Sequence, residues 1–315
     1  MDNRSLFLAQ WSSIAQRYLT LVQETSITFW PTVQDLSEQV LHLAREILSK
    51  AIPELASSSI AIATTGSDSR LEKCGLGSPV ELIVITPEKP VNSEQQTIIE
   101  TINCLCSTYS SFFCPLIEHK GLAQERVSYY QEKSLIPTRA FDALLLVGNQ
   151  DTFRLYKEKL WQELKKTNLN PFKKEFLQRA RKELNRGALS DPSKGEIKYH
   201  KKGGRGAKHD ILRVVQYSIA LKIFSQVPQE QFAQIPQTVV GRISWLQQNK
   251  HITLAEQECQ TLLKNYTETS IWYAQLNALA HQYPEQDVVI LTVCPKNLYK
   301  IKEMTKEITK KITGN

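Results

Sequence analysis

Nowhere does the chain hold the run of about 18 apolar residues that a membrane-spanning helix requires. Its longest candidate, Val288–Cys294 (VVILTVC), is far too short and stops at Pro295. The opening stretch, MDNRSLFLAQWSS, has neither a sustained apolar core nor a small-residue cleavage site, which argues against a secretory signal. Cysteine is sparse and irregularly spaced (Cys74, Cys104, Cys106, Cys114, Cys259, Cys294), with no Cys-x-x-Cys pair. That pattern argues against a disulfide framework and a zinc site, and it leads us to expect reduced, mostly packing cysteines in a cytoplasmic protein. No internal repeat and no low-complexity tract appears.

What is present is the make-up of an ordinary globular protein: 41% hydrophobic and 23% charged residues in 315. That length predicts two domains. The formal net charge of +7 favours anionic partners such as nucleotides, nucleic acid or acidic protein surfaces.

The first fifty residues read as helix. Trp11, Ile14, Tyr18 and Val22 recur at helical spacing, as do Val33, Leu36, Val40, Leu43, Ile47 and Leu48. Pro31 and Thr32, with Asp35, resemble the start of a second helix. The texture then changes to two β-rich runs, Ser58–Thr65 and Val80–Thr86, separated by the polar GSDSRLEKCGLGSP. A helix carried by Ile98, Ile102 and Leu105 follows, and Phe112–His119 predicts a third strand, with Pro115 favouring an edge or a bulge. Beyond Thr138 strands become rare. Ala140–Val147 opens a helical stretch that DTFRLYKEKLWQELKK continues after Gly148. FKKEFLQRARKELNR and DILRVVQYSIALKIF read as further helices, with a loop over residues 187–208 between them. Thr253 and Glu256 suit a capping box for a long helix to His281. The lysine-rich tail presents Leu298, Ile301, Met304, Ile308 and Ile312 on one face.

The chemical signal lies between the two runs, in Gly66-Ser67-Asp68-Ser69-Arg70-Leu71-Glu72. A strand ending in Gly-Ser turns sharply and brings backbone N–H groups near an anion. Ser67 adds a hydroxyl donor, Arg70 offers a bidentate fork to a phosphate, and Glu72 is placed to orient it.

This loop resembles the G-S-x-x-R-x-E signature of the PII-uridylyltransferase and glutamine-synthetase adenylyltransferase group, in the DNA polymerase β-like superfamily. Three more stretches resemble the group's pattern in the same order. PTRAFDALLLVGNQDTFRLYKEKL is similar to its D/E-A-R-x-L-x-G-D segment and the helix after it. GEIKYHKKGGRGAKHDILRVVQYSIAL is similar to N-I-K-x-G-x-G-G-x-R-D-I-x-x-x-V-Q, with extra residues between Gly204 and Asp210. ISWLQQNKHITLAEQECQTLLKNYTETSIWYAQLNALAH is similar to the later G-x-L-S-x-x-E-A-x-x-L-x-x-A-Y segment. The resemblance runs from about residue 55 to 285.

Together with the helices read over 1–50, it implies an α+β protein: a small polymerase β-like nucleotidyltransferase α/β domain over 51–125 and a helical bundle over 126–315, similar to a substrate-binding domain. It also implies transfer of a nucleoside monophosphate, driven by magnesium ions on an Asp-x-Asp pair and a third carboxylate. Here this chain departs from the pattern. The pair falls on Pro79 and Glu81, and proline binds no metal; an ungapped count from Arg70 gives Ser78 and Val80 instead. Glu81 and Glu118 are left as the catalytic and magnesium-holding candidates, with Asp68 and His119 as alternative ligands. No counterpart of the group's hydrolase and ligand-sensing regions follows, which argues against nitrogen sensing in the usual manner.

A second basic cluster, KYHKKGGRGAKHD, puts Lys198 and Arg205 among flexible glycines, where clustered cations suit phosphate. It lacks the interleaved aromatics that stack single-stranded bases. The leading expectation is therefore a protein that binds a nucleoside triphosphate through Gly66, Ser67, Arg70, Lys198 and Arg205, with nucleotidyl transfer to a protein or small-molecule acceptor weakened or lost. Two alternatives stand beside it: a non-catalytic nucleotide-sensing or protein-interaction module, and a basic nucleic-acid-binding protein.

Overall fold

The computed structural model describes residues 3–23, 27–75, 79–87, 92–114, 118–121, 142–166, 189–191, 196–200, 207–281, 288–291 and 298–313. These form a mostly helical α+β protein with two small sheets. The chain divides into two compact units, and neither is a continuous stretch. The first is Met1–Ala15, Val33–Lys73 and Ser78–Asn168, and the second is Gln16–Thr32, Cys74–Gly77 and Leu169–Asn315. Helices α1 (Asn3–Thr20) and α2 (Phe29–Ala51) each contribute to both. Helix α2 begins at Phe29, so Pro31 and Thr32 lie inside its first turn rather than ahead of it.

The first unit is built on a four-stranded sheet in the order β3-β2-β1-β4. Strands β1 (Ala61–Thr64) and β2 (Leu82–Thr86) are antiparallel and buried throughout, which explains their near-continuous apolar sequences. Strand β3 (Glu118–Gly121) runs parallel to β2, and a bridge between Val80 and Phe113 begins that parallel pairing earlier. The expected third strand is thus realised at both its ends, while residues 115–117 lie outside the described residues.

Strand β4 (Leu144–Gly148) pairs antiparallel with β1, and it corrects the expectation of helix over Ala140–Val147. A run as short as ALLLV is equally a buried strand or a helix fragment. Gly148 settles the matter sterically. It has φ of +96°, and a Cβ there would lie 2.3 Å from the Ile60 carbonyl oxygen. Only glycine allows this approach.

Helix α3 (Gly66–Ser69) is a single turn after β1. Helix α4 (Ser93–Thr108) starts at a capping box: the Gln95 N–H donates to the Asn92 side chain, and the Asn92 N–H to that of Gln95. Helix α5 (Gln150–Lys166) packs on β1 and β2, and the Thr152 hydroxyl ties its start to the Ser59 carbonyl.

In the second unit, helix α8 (Glu256–His281) is the hub. It packs against α6 (Ala207–Gln226), α7 (Val239–Gln248), α9 (Leu298–Thr313) and the turn Leu21–Gln23. Trp30 stacks on Tyr266 with centroids 5.7 Å apart and donates from its indole N–H to Thr267. The expected Thr253–Glu256 box is not used; the Ala255 N–H donates to Glu258 instead. On α9 the buried face is Ile301, Thr305, Ile308, Thr309 and Ile312, whereas Met304 is exposed.

The C-terminal half is not helical throughout. Strands β5 (Leu189–Asp191), β6 (Glu196–His200) and β7 (Val288–Leu291) form an antiparallel sheet in that order. Part of the expected 187–208 loop is therefore strand, and α6 begins within it at Ala207. The expected helix FKKEFLQRARKELNR lies outside the described residues. Among the described residues, no helix is long and apolar enough to cross a membrane.

Candidate functional site

The turn after β1 is a local consequence of Gly66. Thr65 is extended, at φ −135° and ψ −179°, and Gly66 then takes φ of +77°, a conformation that side chains disfavour. The space over Gly66 is open: a Cβ there would come no nearer than 4.0 Å to Glu81 Oε2. Glycine is demanded by the backbone angle and not by crowding. Leu71 is also left-handed, at φ 57°, a strain of roughly 1–2 kcal/mol for a residue with a side chain. Its conformation brings the Glu72 N–H back to the Ser67 carbonyl at 2.9 Å, beside the Leu71 N–H on Asp68 at 3.1 Å.

Beneath this turn lie charges with almost no access to water. Lys73 is 2% exposed, and its ammonium donates to Asp68 Oδ1 at 2.8 Å. Arg70 is 9% exposed; Nη1 donates to Asp142 Oδ2 at 2.6 Å, and Nε lies 3.4 Å from Glu72 Oε2. Ser37, from α2, accepts the Lys73 N–H at 3.3 Å. Burying charge is tolerable only where partners are this close.

Glu81 behaves differently. It stands at the entry to β2, opposite Thr65 across the antiparallel pair, and is exposed. The Thr65 hydroxyl donates to its Oε2 at 3.2 Å, which fixes the carboxylate beside Gly66. Ser67 is half-buried at the same turn. On the neighbouring strand, Glu118 pairs with Ile83, two residues along β2 from Glu81; its side chain lies outside the described residues.

The expected residues thus part into groups. Gly66 and Glu81 lie side by side with Ser67 at the same turn, and Glu118 on the next strand is in register with Ile83, two residues along β2 from Glu81. Arg70 belongs to the same turn, but its guanidinium points inward, to Asp142 and Glu72. Lys198 lies in β6 of the second unit, paired with Ile290, and Arg205 lies outside the described residues. Sequence reasoning missed Asp142, Lys73 and Thr65. Asp142 sits in FDALLLVG, within a stretch noted only for its resemblance to the group's pattern, and nothing local joins it to Arg70.

The two-cation arrangement that the resemblance implies does not fit the described carboxylates. Pro79 supplies no ligand, Asp68 is held by Lys73, Glu72 and Asp142 are held by Arg70, and Glu81, which is exposed, accepts from the Thr65 hydroxyl. Among the described residues, no group of three acidic, histidine or cysteine side chains is placed to hold a metal ion. Compared with the sequence models of known protein families and with curated proteins, the chain matches none.

Proposed function

We propose that the first unit is a nucleotidyltransferase-like module of the polymerase β type that binds a nucleoside triphosphate at the Gly66–Ser67 turn and has lost nucleotidyl transfer. The observation that carries this reading is the placement of a left-handed Gly66 at the end of β1 against Glu81 at the start of the antiparallel β2, with Glu118 in register on the parallel β3. A glycine turn of this kind admits a phosphate close to the backbone, and Ser67 gives it a hydroxyl donor.

Charge decides the form of the ligand. Around the turn stand the carboxylates of Asp68, Glu72, Glu81 and Asp142 against the two cations Arg70 and Lys73. A bare triphosphate meets excess negative charge there, so the magnesium complex is the species this site takes, with Glu81 the exposed carboxylate that would face the cation. Holding one cation that the nucleotide brings differs from assembling the pair that transfer chemistry uses. A protein or small-molecule acceptor or partner remains part of this reading.

Calorimetric titration of ATP, UTP, CTP and GTP, with and without magnesium, tests it. Binding is expected only with magnesium, and Ser67→Asp, which adds a negative charge at the turn, is expected to abolish it. Binding that ignores magnesium would replace this reading with a metal-free sensor. No binding to any nucleotide would remove it.

A further inference from the structure

The sequence makes Arg70 a phosphate ligand, but the structure uses it otherwise. A guanidinium that is to grip a phosphate must present its fork to the site. Here Nη1 is engaged at 2.6 Å by Asp142, 72 residues further along the chain, and Nε faces Glu72. The Arg70 and Asp142 side chains are 11% and 3% exposed. Asp142 is followed directly by Ala143 and β4, the strand anchored to β1 through the glycine-only approach at Gly148. The ion pair therefore runs from a residue just ahead of the edge strand β4 to the residue that closes the turn, since the Arg70 N–H itself donates to the Gly66 carbonyl at 3.3 Å.

We propose that Asp142 is a positioning residue for the nucleotide site: acting through Arg70, it clasps the Gly66–Ser69 turn in its binding shape, and Arg70 is the clasp and not the phosphate ligand. This rests on the nucleotide reading of the same turn. The physical basis is the cost of freedom. A turn entered through a left-handed Gly66 and left through a left-handed Leu71 has many alternatives open to it, and a close charge-assisted hydrogen bond removes most of them. A preordered loop binds more tightly because less order has to be created on binding.

The two roles of Arg70 predict opposite signs. Asp142→Asn removes the charge that holds the guanidinium. Were Arg70 a phosphate ligand, the released fork would bind nucleotide as tightly as before or more tightly. If Arg70 is the clasp, magnesium–nucleotide affinity falls, by about tenfold for the loss of one charged hydrogen bond. Calorimetry on folded full-length protein measures this. Arg70→Met/Asp142→Leu/Glu72→Gln, which removes the guanidinium together with the charge of both carboxylates beside it, is expected to stay folded and to bind as weakly as Asp142→Asn.

Amide exchange in the absence of nucleotide separates this proposal from the reading beneath it. In Asp142→Asn, the amides of Arg70, Leu71 and Glu72 are expected to exchange faster while those of β1 and β2 do not change. Unchanged turn exchange, or affinity equal to or above that of the wild type, overturns the clasp. Wild-type protein that binds no nucleotide overturns the reading beneath it, and the exchange result then still decides whether Asp142 orders the turn.

Discussion

The ion pairs beneath the Gly66 turn and those on the helix surfaces are made of the same side chains, but they stand in different surroundings. Arg154 bonds Asp151 at 3.3 Å and Glu158 at 2.9 Å along α5, and Lys310 bonds Glu307 along α9. These partners are three or four residues apart on a helix, where the geometry makes them neighbours, and they are largely exposed. Asp68–Lys73 and Arg70–Asp142 obey no such spacing and are buried. Surface pairs are screened and contribute little. Buried pairs contribute little net energy against an apolar replacement, yet breaking one strands a charge. The difference separates a feature that keeps a helix wet from one that holds a loop in shape.

The largest effect is expected at Asp68. Asp68→Ala takes from the buried Lys73 ammonium the carboxylate it contacts at 2.8 Å, and a loss of about 3–5 kcal/mol follows, read from chemical denaturation. Asp68→Leu/Lys73→Met should restore most of that loss. If both variants were equally unstable, the shape of the site and not its charge would be responsible, and the comparison would break.

Lys311 and Glu258 make an intermediate case, because the pair joins α9 to α8 across the chain yet lies at the surface. The Lys311 hydrogen bond, followed by one from the Ala255 N–H, holds the Glu258 carboxyl below its ordinary range. A depressed carboxylate stabilises the fold above its unfolded pKa, near about 4.3, and that contribution is lost as the pH falls through the lower folded value. Lys311→Ala should therefore lower the Tm slightly at pH 7, with the gap to wild type closing at acid pH and in high salt. A large, salt-insensitive drop would show that spanning two helices matters more than burial does. Smallest of all, Arg154→Ala should leave the Tm unchanged.

The same contrast explains what could be read from the sequence. Surface pairs, the helical stripes, the buried runs of β1 and β2 and the Gly66 turn all follow from spacing within a few residues. Strand β4 was misassigned because a short apolar run fits both periods, and its glycine is explained only by Ile60, far away in sequence. Strands β5 and β6 read as LSD and EIKYH, with no alternation strong enough to stand without partners, and β7 lies in a short apolar run that fits strand and helix equally. Gly66, Ser67 and Glu81 flank one loop, so sequence spacing alone places them near one another. Asp142 meets Arg70 across 72 residues, a contact that exists only after β4 has paired with β1. The chemistry of Arg70 is visible in the sequence; the inward direction of its guanidinium is not.

The Gly66–Ser67 turn is the place proposed to bind nucleotide. The most direct measurement is amide exchange across the full-length protein with and without saturating magnesium–nucleoside triphosphate. Protection is predicted over residues 64–73 and at the start of β2. Protection confined to the basic segment 198–209, or none anywhere, would contradict it.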